Sequence, residues 1–476
     1  MKDEQVTLDR DADEFRKAGH QLVDWIAEYL EHPERHDVLS RLSPGDVKAQ
    51  FAQAPSTEGK SYERLAREFE EKILPGITHW NHPGFFAYFA ITGSQAGILA
   101  ELLSAALNIN GMLWKTSPAA TELETVALGW LRDALGLPSS LFGIINDTAS
   151  INTFLALAAA RESLGLSIRK EGMTGRALPR LRIYCSDQTH SSIEKAALAL
   201  GLGSQGVVKI ESDERFRMRS DLLAKAIAHD RDAGMLPVAV VATAGTTSTA
   251  AVDPIDAIAA IAEREKIWLH VDAAYGGSIA IIPELREFWR GVERADSVVV
   301  NPHKWLFTPV DCSVLYTRRP EMLKETFSLV PEYLKTTDSA EINYMDYGLQ
   351  LGRRFRALKL WMVMEHYGIE HLRDVIRGHI GMARRLADVL GARMDIELLA
   401  PQSMGVVVFR KIVRDAGGAV DELRSEQLTS ELLARMNASG KLFVSHTRLR
   451  DRYGIRVAIG NGATKREHLE TLLSFL

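Results

Sequence analysis

Between about residue 140 and residue 317 the chain alternates short β-branched runs with helical segments, and no other feature restricts its folding as strongly. The runs are Leu181–Cys185, Val207–Ile210, Pro237–Ala242, Ile267–Val271, Ser297–Val300 and Ser313–Tyr316. Between them lie the helical stretches Ile151–Leu164, Ser191–Leu200, Ser220–Asp232 and Pro254–Glu265. Near-continuous apolar runs require cover on both faces, and strands joined through helices run parallel. An α/β fold with a mainly parallel sheet meets both demands.

The flanks have a different texture. Phe15, Leu22, Val23, Ile26, Tyr29 and Leu30 recur at spacings near three and four, with Arg16, Lys17, Asp24 and Glu28 off the stripe, which predicts an amphipathic helix. A second helix is expected over Tyr62–Ile73, and Pro33, Pro44, Gly45, Pro55 and Gly59 mark turns between the two. This first region holds no core of its own, so it docks either on a second subunit or on the core of its own chain. After residue 365 come helices with isolated strands, Gly405–Arg410 and Gly454–Ala458, and a last helix near Lys465–Phe475, the pattern of a smaller α+β domain. The expected organisation is a helical docking segment over 1–85, a large α/β domain over 86–365 and a small domain over 366–476.

Charge and cysteine content exclude several classes of function. The 476 residues carry 57 Lys+Arg against 62 Asp+Glu, a formal charge of −5, with no basic block and no acidic tail. Nucleic acid and anionic membrane are therefore not expected as partners. No apolar run approaches the roughly 20 residues of a membrane span, and Met1-Lys2-Asp3-Glu4 does not open a secretory signal. Cys185 and Cys312 are too few for a disulfide framework or a Cys-rich metal site; they suit a reducing cytoplasm, and no metal is expected.

Chemistry concentrates where the predicted strands end. Asn301-Pro302-His303-Lys304-Trp305 follows the run Ser297–Val300, so Lys304 leaves a strand at the edge where open α/β sheets collect ligands. A lysine in a desolvated pocket gives up its proton more easily and can form a Schiff base with an aldehyde. Asp272 ends the run Ile267–Val271 and is followed by Ala273-Ala274-Tyr275-Gly276-Gly277, whose alanines and glycines are small enough to let a flat ligand approach. Asp147-Thr148-Ala149-Ser150 opens a helix, where free N–H groups and the hydroxyls of Thr148 and Ser150 suit a phosphate. Ser186–Ser192 carries His190, whose flat ring can stack on another, and Thr243–Ser248 supplies small and hydroxyl residues. Taken singly, each has an ordinary alternative: a solvated lysine, a turn-capping Asp, a helix N-cap, a loop histidine. Five such places in order along the chain, each bearing a group that one cofactor could use, point to a shared site.

At these residues the chain resembles the group II pyridoxal-phosphate decarboxylases, and most closely the aromatic-L-amino-acid decarboxylases. The resemblance runs from Pro75–Trp80 and Phe85–Phe89 through Ser117–Glu124, His190, Asp272 and Asn301–Trp305 to Gly352–Arg356 and Leu358–Trp361. It implies an aspartate-aminotransferase-like fold with a mainly parallel seven-stranded sheet, and an obligate homodimer with active sites at the subunit interface. It further implies that Lys304 makes the covalent link to pyridoxal phosphate, that Asp272 pairs with the ring nitrogen and that His190 stacks on the ring. Ala149, Ser150, Asn301 and His303 match positions that hold the phosphate, and Thr247 and Ala274 match positions near the ring.

The same resemblance assigns the reaction. Val330–Lys335 matches a loop whose tyrosine, here Tyr333, returns a proton to the substrate Cα, and Thr336–Ser339 has the polar character of a closing lid. Relatives that make aromatic acetaldehydes replace that tyrosine or the stacking histidine, and this chain keeps both, so decarboxylation to the amine is expected. Trp80, Phe85, Phe86, Tyr88 and Phe89 form an aromatic cluster in a stretch that lines the ring cavity in the family. Gly352 matches a position where glycine accompanies indole substrates, which makes tryptophan the leading substrate, followed by tyrosine, phenylalanine and dihydroxyphenylalanine. The chain departs from the family at Ala90-Ile91-Thr92 and at the partner-contact positions Asn110-Gly111-Met112, both next to the substrate side chain. The alternatives are an aromatic acetaldehyde synthase, an acidic-amino-acid decarboxylase, for which no cationic pocket is evident in the sequence, and a non-catalytic cofactor-binding relative.

Overall fold

The computed structural model describes residues 11–51, 54–55, 57–329 and 341–476. Seven strands form the central sheet: β1 (Phe142–Asn146), β2 (Leu181–Ser186), β3 (Val207–Ile210), β4 (Leu236–Thr243), β5 (Trp268–Asp272), β6 (Ser297–Val300) and β7 (Ser313–Thr317). Their order is β1-β7-β6-β5-β4-β2-β3. β2, β3, β4, β5 and β6 pair in parallel, while β7 is antiparallel to both of its neighbours. β1 therefore runs in the same direction as the parallel set, and the carboxyl ends of β1, β2, β4, β5 and β6 all open at one edge.

Alternation along the strands sorts side chains to two cores. Val240, Ala242, Leu269 and Val271 point to one face, under the helices Pro118–Leu135, Ser220–Asp232 and Ile255–Glu265. Ala239, Val241 and Trp268 point to the other, under Ala149–Glu162 and Ser192–Ala199. A strand buried on both faces carries no polar alternation, which is why these segments read as continuous apolar runs.

A second, antiparallel sheet has the order β10-β11-β9-β8, from β8 (Ile396–Leu398), β9 (Val406–Lys411), β10 (Ser445–Leu449) and β11 (Arg452–Ala458). The sequence reading had no counterpart for β1, β8 or β10: β1 is short and holds Gly143, β8 has three residues, and β10 is polar, being Ser445-His446-Thr447-Arg448-Leu449 at the sheet edge. The helix Arg356–Gly391 crosses residue 365 and kinks shortly afterwards at Gly368, whose φ of 71° is open to glycine. Its second half packs against the small sheet together with Phe86.

The N-terminal helix Ala12–Glu31 is capped by Asp11, whose carboxylate accepts the N–H groups of Asp13 and Glu14 at 2.8 and 3.1 Å. It buries none of its residues, and Phe15 and Leu22 remain exposed. After a short helix over Asp46–Ala49, a further helix covers Tyr62–Glu68 and widens into a π-turn over Phe69–Ile73, where Phe69 meets Trp25 edge-on at 5.5 Å. Among the described residues no helix is long and apolar enough to cross a membrane, and no His, Cys, Asp and Glu side chains cluster as a metal site would require.

Candidate active site

At the open sheet edge, against the small sheet, lies a cleft of about 440 Å³. Thirteen of the residues singled out in the sequence line it: Trp80, Tyr88, Phe89, Thr148, Ala149, Ser150, His190, Thr247, Asp272, Ala274, Asn301, His303 and Lys304. Tyr333 lies outside the described residues. Met112 and Gly352 do not line this cleft; they sit beside each other elsewhere, with Gly111 N–H donating to Arg353 O at 2.9 Å. Phe85 and Phe86 are completely buried core residues, so only Trp80, Tyr88 and Phe89 of the aromatic cluster reach the cleft.

Lys304 follows β6 on a single helical turn, Pro302–Trp305. Burial pushes its amine below the ordinary lysine range; the Asp272 carboxylate opposes that shift and the Arg456 cation adds to it. The result is an amine that loses its proton unusually easily, which is what a carbonyl-attacking lysine needs. Asp272 is 6% exposed at the end of β5, and its Oδ1 accepts the N–H of Ala274 at 3.1 Å. Gly276, in the turn that follows, has no room for a side chain, since a Cβ there would lie 2.4 Å from Ala244 O.

The histidines are held neutral with defined tautomers. His303 Nδ1 accepts the Cys312 N–H at 2.9 Å, so Nε2 carries the ring proton; burial pushes its pKa down to about 3. His190 Nδ1 accepts the Ser192 N–H at 3.1 Å, and burial lowers its pKa too. Both rings can donate from Nε2.

At the start of the helix Ala149–Glu162, Thr148 has extended backbone angles but makes no side-chain cap. The first-turn N–H groups are left open for an anion. Behind them runs a buried polar chain: Asn146 Nδ2 donates to Asn152 Oδ1 at 2.6 Å, Asn152 Nδ2 to Ser313 Oγ at 2.8 Å, and Ser313 Oγ to Asn301 Oδ1 at 2.5 Å. It orients Asn301 and locks the helix start to β7. The central contact, Asn152 to Ser313, joins residues 161 positions apart, and no local pattern announces it.

The structure also brings in residues the sequence reading missed. Tyr275, Ser445, His446, Thr447 and Arg456 line the cleft. Tyr275 stacks on Phe89 at 3.7 Å and on Trp305 at 4.7 Å. Arg456, on β11, is 4% exposed; its Nη1 donates to Tyr88 O and its Nε to Ser248 O at 3.2 Å, while Nη2 is buried without a partner among the described residues. A cationic group is thus present where the sequence reading located none. Its one sequence signal is a charge at an inward position of a buried strand, Arg456 between Ile455 and Val457.

These groups fit pyridoxal phosphate. The uncapped helix start, Asn301 and His303 can hold its phosphate, Lys304 its aldehyde and Asp272 its ring nitrogen. A pocket of this size with few converging polar groups is normal for such a ligand.

Residues 44–412 match the model of the pyridoxal-dependent decarboxylase conserved domain. The chain is 39% identical to tyrosine decarboxylase 3 of Petroselinum crispum over 96% of its own length and 90% of that protein. It is also 39% identical to a phenylacetaldehyde synthase of Arabidopsis thaliana, over 97% of this chain and 94% of that one. The crystal structure of Oryza sativa TDC with PLP and tryptamine superimposes with a TM-score of 0.93 at 36% identity, covering 98% of each chain. With the family model spanning most of the chain and a lysine, a carboxylate and an open helix start facing one cleft, this protein belongs to the pyridoxal-dependent decarboxylase family.

Proposed function

We propose that the protein decarboxylates an aromatic L-amino acid, with tryptophan as leading substrate, releasing the amine and carbon dioxide. The observation that carries this reading is the composition of the cleft beside Lys304. Trp80, Tyr88, Phe89 and Ile91 give it an aromatic and aliphatic wall, suited to a flat ring.

When bound, pyridoxal phosphate supplies a protonated ring that accepts the electron pair released as the bond from Cα to the carboxylate breaks. Asp272 holds the proton on the ring nitrogen. Lys304 would meet the aldehyde carbon with its Nζ, whose charged form burial and Arg456 disfavour. Asn301, His303 Nε2 and the open helix start bind the phosphate, and His190 closes one side of the ring. Arg456 spends Nε–H and one Nη1–H on protein carbonyls, which leaves its Nη2 edge for a substrate carboxylate, and it faces Phe89 at 4.5 Å. One guanidinium edge serves one carboxylate, and the aromatic wall beside it favours an aromatic over an acidic side chain. The resemblance in sequence assigns Tyr333 the proton delivered to Cα, and with it the amine rather than the aldehyde as product.

The active assembly in this reading is a homodimer. Met112 and Gly352 lie away from their own cleft, and Leu103, Leu107, Leu349 and Leu351 are exposed on helix Gln95–Leu107 and in the segment before Arg353. A cytoplasmic location is supported by the two cysteines, both buried and unpaired. Side-by-side turnover of tryptophan, tyrosine, phenylalanine, dihydroxyphenylalanine and glutamate, with the amine identified, tests the substrate. Glutamate as the fastest substrate, or aldehyde and peroxide as main products, overturns the reading.

A further inference from the structure

We propose that the buried Glu124–Arg353 ion pair is a positioning clasp that acts across the subunit interface, holding Met112 and Gly352 for the neighbouring subunit's cleft. The inference rests on the dimer reading above and deepens it by naming the residues that set this contact.

Glu124 and Arg353 are 4% and 6% exposed and meet in a two-pronged contact, Nη1 to Oε2 at 3.0 Å and Nη2 to Oε1 at 2.7 Å. Both also engage Ile145 at the end of β1: Glu124 Oε1 accepts its N–H at 3.0 Å, and Arg353 Nη2 donates to its carbonyl at 2.8 Å. The guanidinium lies 4.7 Å from the centre of the Tyr344 ring. Almost every polar atom of the pair is matched, so its geometry is over-determined. Buried ion pairs add little net stability, and holding a geometry is their better-attested use.

What the pair holds is specific. The Arg353 N–H donates to Asn110 Oδ1 at 2.9 Å, and the Arg353 carbonyl accepts the Gly111 N–H at 2.9 Å. Two segments remote in sequence are stitched together at this one residue. Met112 rests against Leu113 and Met345, and a Cβ on Gly352 would lie 3.6 Å from Asn110 Nδ2. The stitched segments do not line the cleft of their own chain, and Leu349 and Leu351 beside Gly352 are 59% and 50% exposed. Such side chains next to a rigid polar framework belong against a second copy. The competing arrangement is a clasp that works within one chain, through Ile145 and β1 to Thr148 and Ser150.

The two arrangements give opposite results in mixed dimers. The paired variant Glu124→Gln with Arg353→Met leaves no unpaired buried charge; Arg353→Lys, which keeps the charge and loses the fork, serves if the pair does not fold. In variant homodimers KM for tryptophan rises about tenfold with kcat within about twofold, and affinity for pyridoxal phosphate, read from visible absorbance, is unchanged. A differently tagged Lys304→Ala chain is then co-expressed and the hybrid dimer isolated. Its one surviving lysine belongs to the clasp variant, while the Met112–Gly352 surface facing that lysine comes from the chain with an intact clasp. Wild-type KM at that site supports the proposal. KM as high as in the variant homodimer, or a variant that sediments as a monomer, overturns it. A wild-type protein that is monomeric and fully active would instead overturn the dimer reading beneath it.

Discussion

The guanidinium of Arg456 lies 4.5 Å from the centre of the Phe89 ring, and the same ring stacks on Tyr275 at 3.7 Å. Arg456 belongs to the small sheet, Phe89 to the segment before helix Gln95–Leu107, and Tyr275 to the turn after β5. Three parts of the chain thus meet at the cleft through one buried cation, whose own pKa burial pushes down to about 10.

Arg456→Met removes a positive charge that helps Lys304 lose its proton, so Lys304 should stay protonated to higher pH. The pH profile for regain of visible absorbance, when apoenzyme is mixed with pyridoxal phosphate, shifts to the alkaline side. Arg456→Lys leaves it close to wild type. The carbonyls of Tyr88 and Ser248 also lose their donor, which lowers stability by about 2 kcal/mol. An unshifted profile in the Met variant would show that the cation has no influence on Lys304.

Asp272→Asn keeps an oxygen for the Ala274 N–H, so the turn after β5 survives and the melting temperature changes little. The negative charge at the ring nitrogen is lost, and kcat falls by about a hundredfold or more. Steady-state rates and thermal melts on one preparation separate the two effects. Retention of full kcat rules out the pairing of Asp272 with the ring nitrogen.

Tyr333→Phe removes the assigned proton donor to Cα and diverts product from amine to aldehyde, with ammonia and peroxide released. Quantifying amine against aldehyde is the check, and amine as the sole product at an unchanged rate removes the role from Tyr333.

Burial pushes the imidazoles of His270 and His379 down to about 4, whereas an unfolded imidazole titrates near 6.5. Between those values the unfolded chain binds more protons than the folded one. Stability present above about pH 6.5 is therefore lost as pH falls towards about 4. Thermal melts across that window should show a progressive drop, shallower in His379→Asn, which keeps an acceptor for Trp305 Nε1–H. A flat melting temperature means these rings are not held neutral.

Much of the site was legible because its residues lie within a few positions of strand ends, and strand ends follow from local pattern. Lys304 after β6, Asp272 at the end of β5 and His190 after β2 converge on the cleft, together with Thr148–Ser150, which was legible from its helix start although β1 before it was not. Arg456, Tyr275 and the Ser445–Thr447 edge strand were not legible as site residues. Their place depends on how the small sheet docks, and nothing local distinguishes them from ordinary strand or turn residues. Met112 and Gly352 show the converse: they match substrate-contacting positions, yet in one chain they lie outside the cleft.

Side-chain periodicity and short-range spacing encode which strands are buried on both faces and which chemical groups follow them. Tertiary packing set which of those groups share one cleft, how the Asn146–Asn152–Ser313–Asn301 chain fixes their orientation, and that a buried arginine lines the cleft. The longest of those relations join residues 161 and 368 positions apart. They arise from packing and from the need to pair buried polar groups, which act on distance in space rather than on separation along the chain.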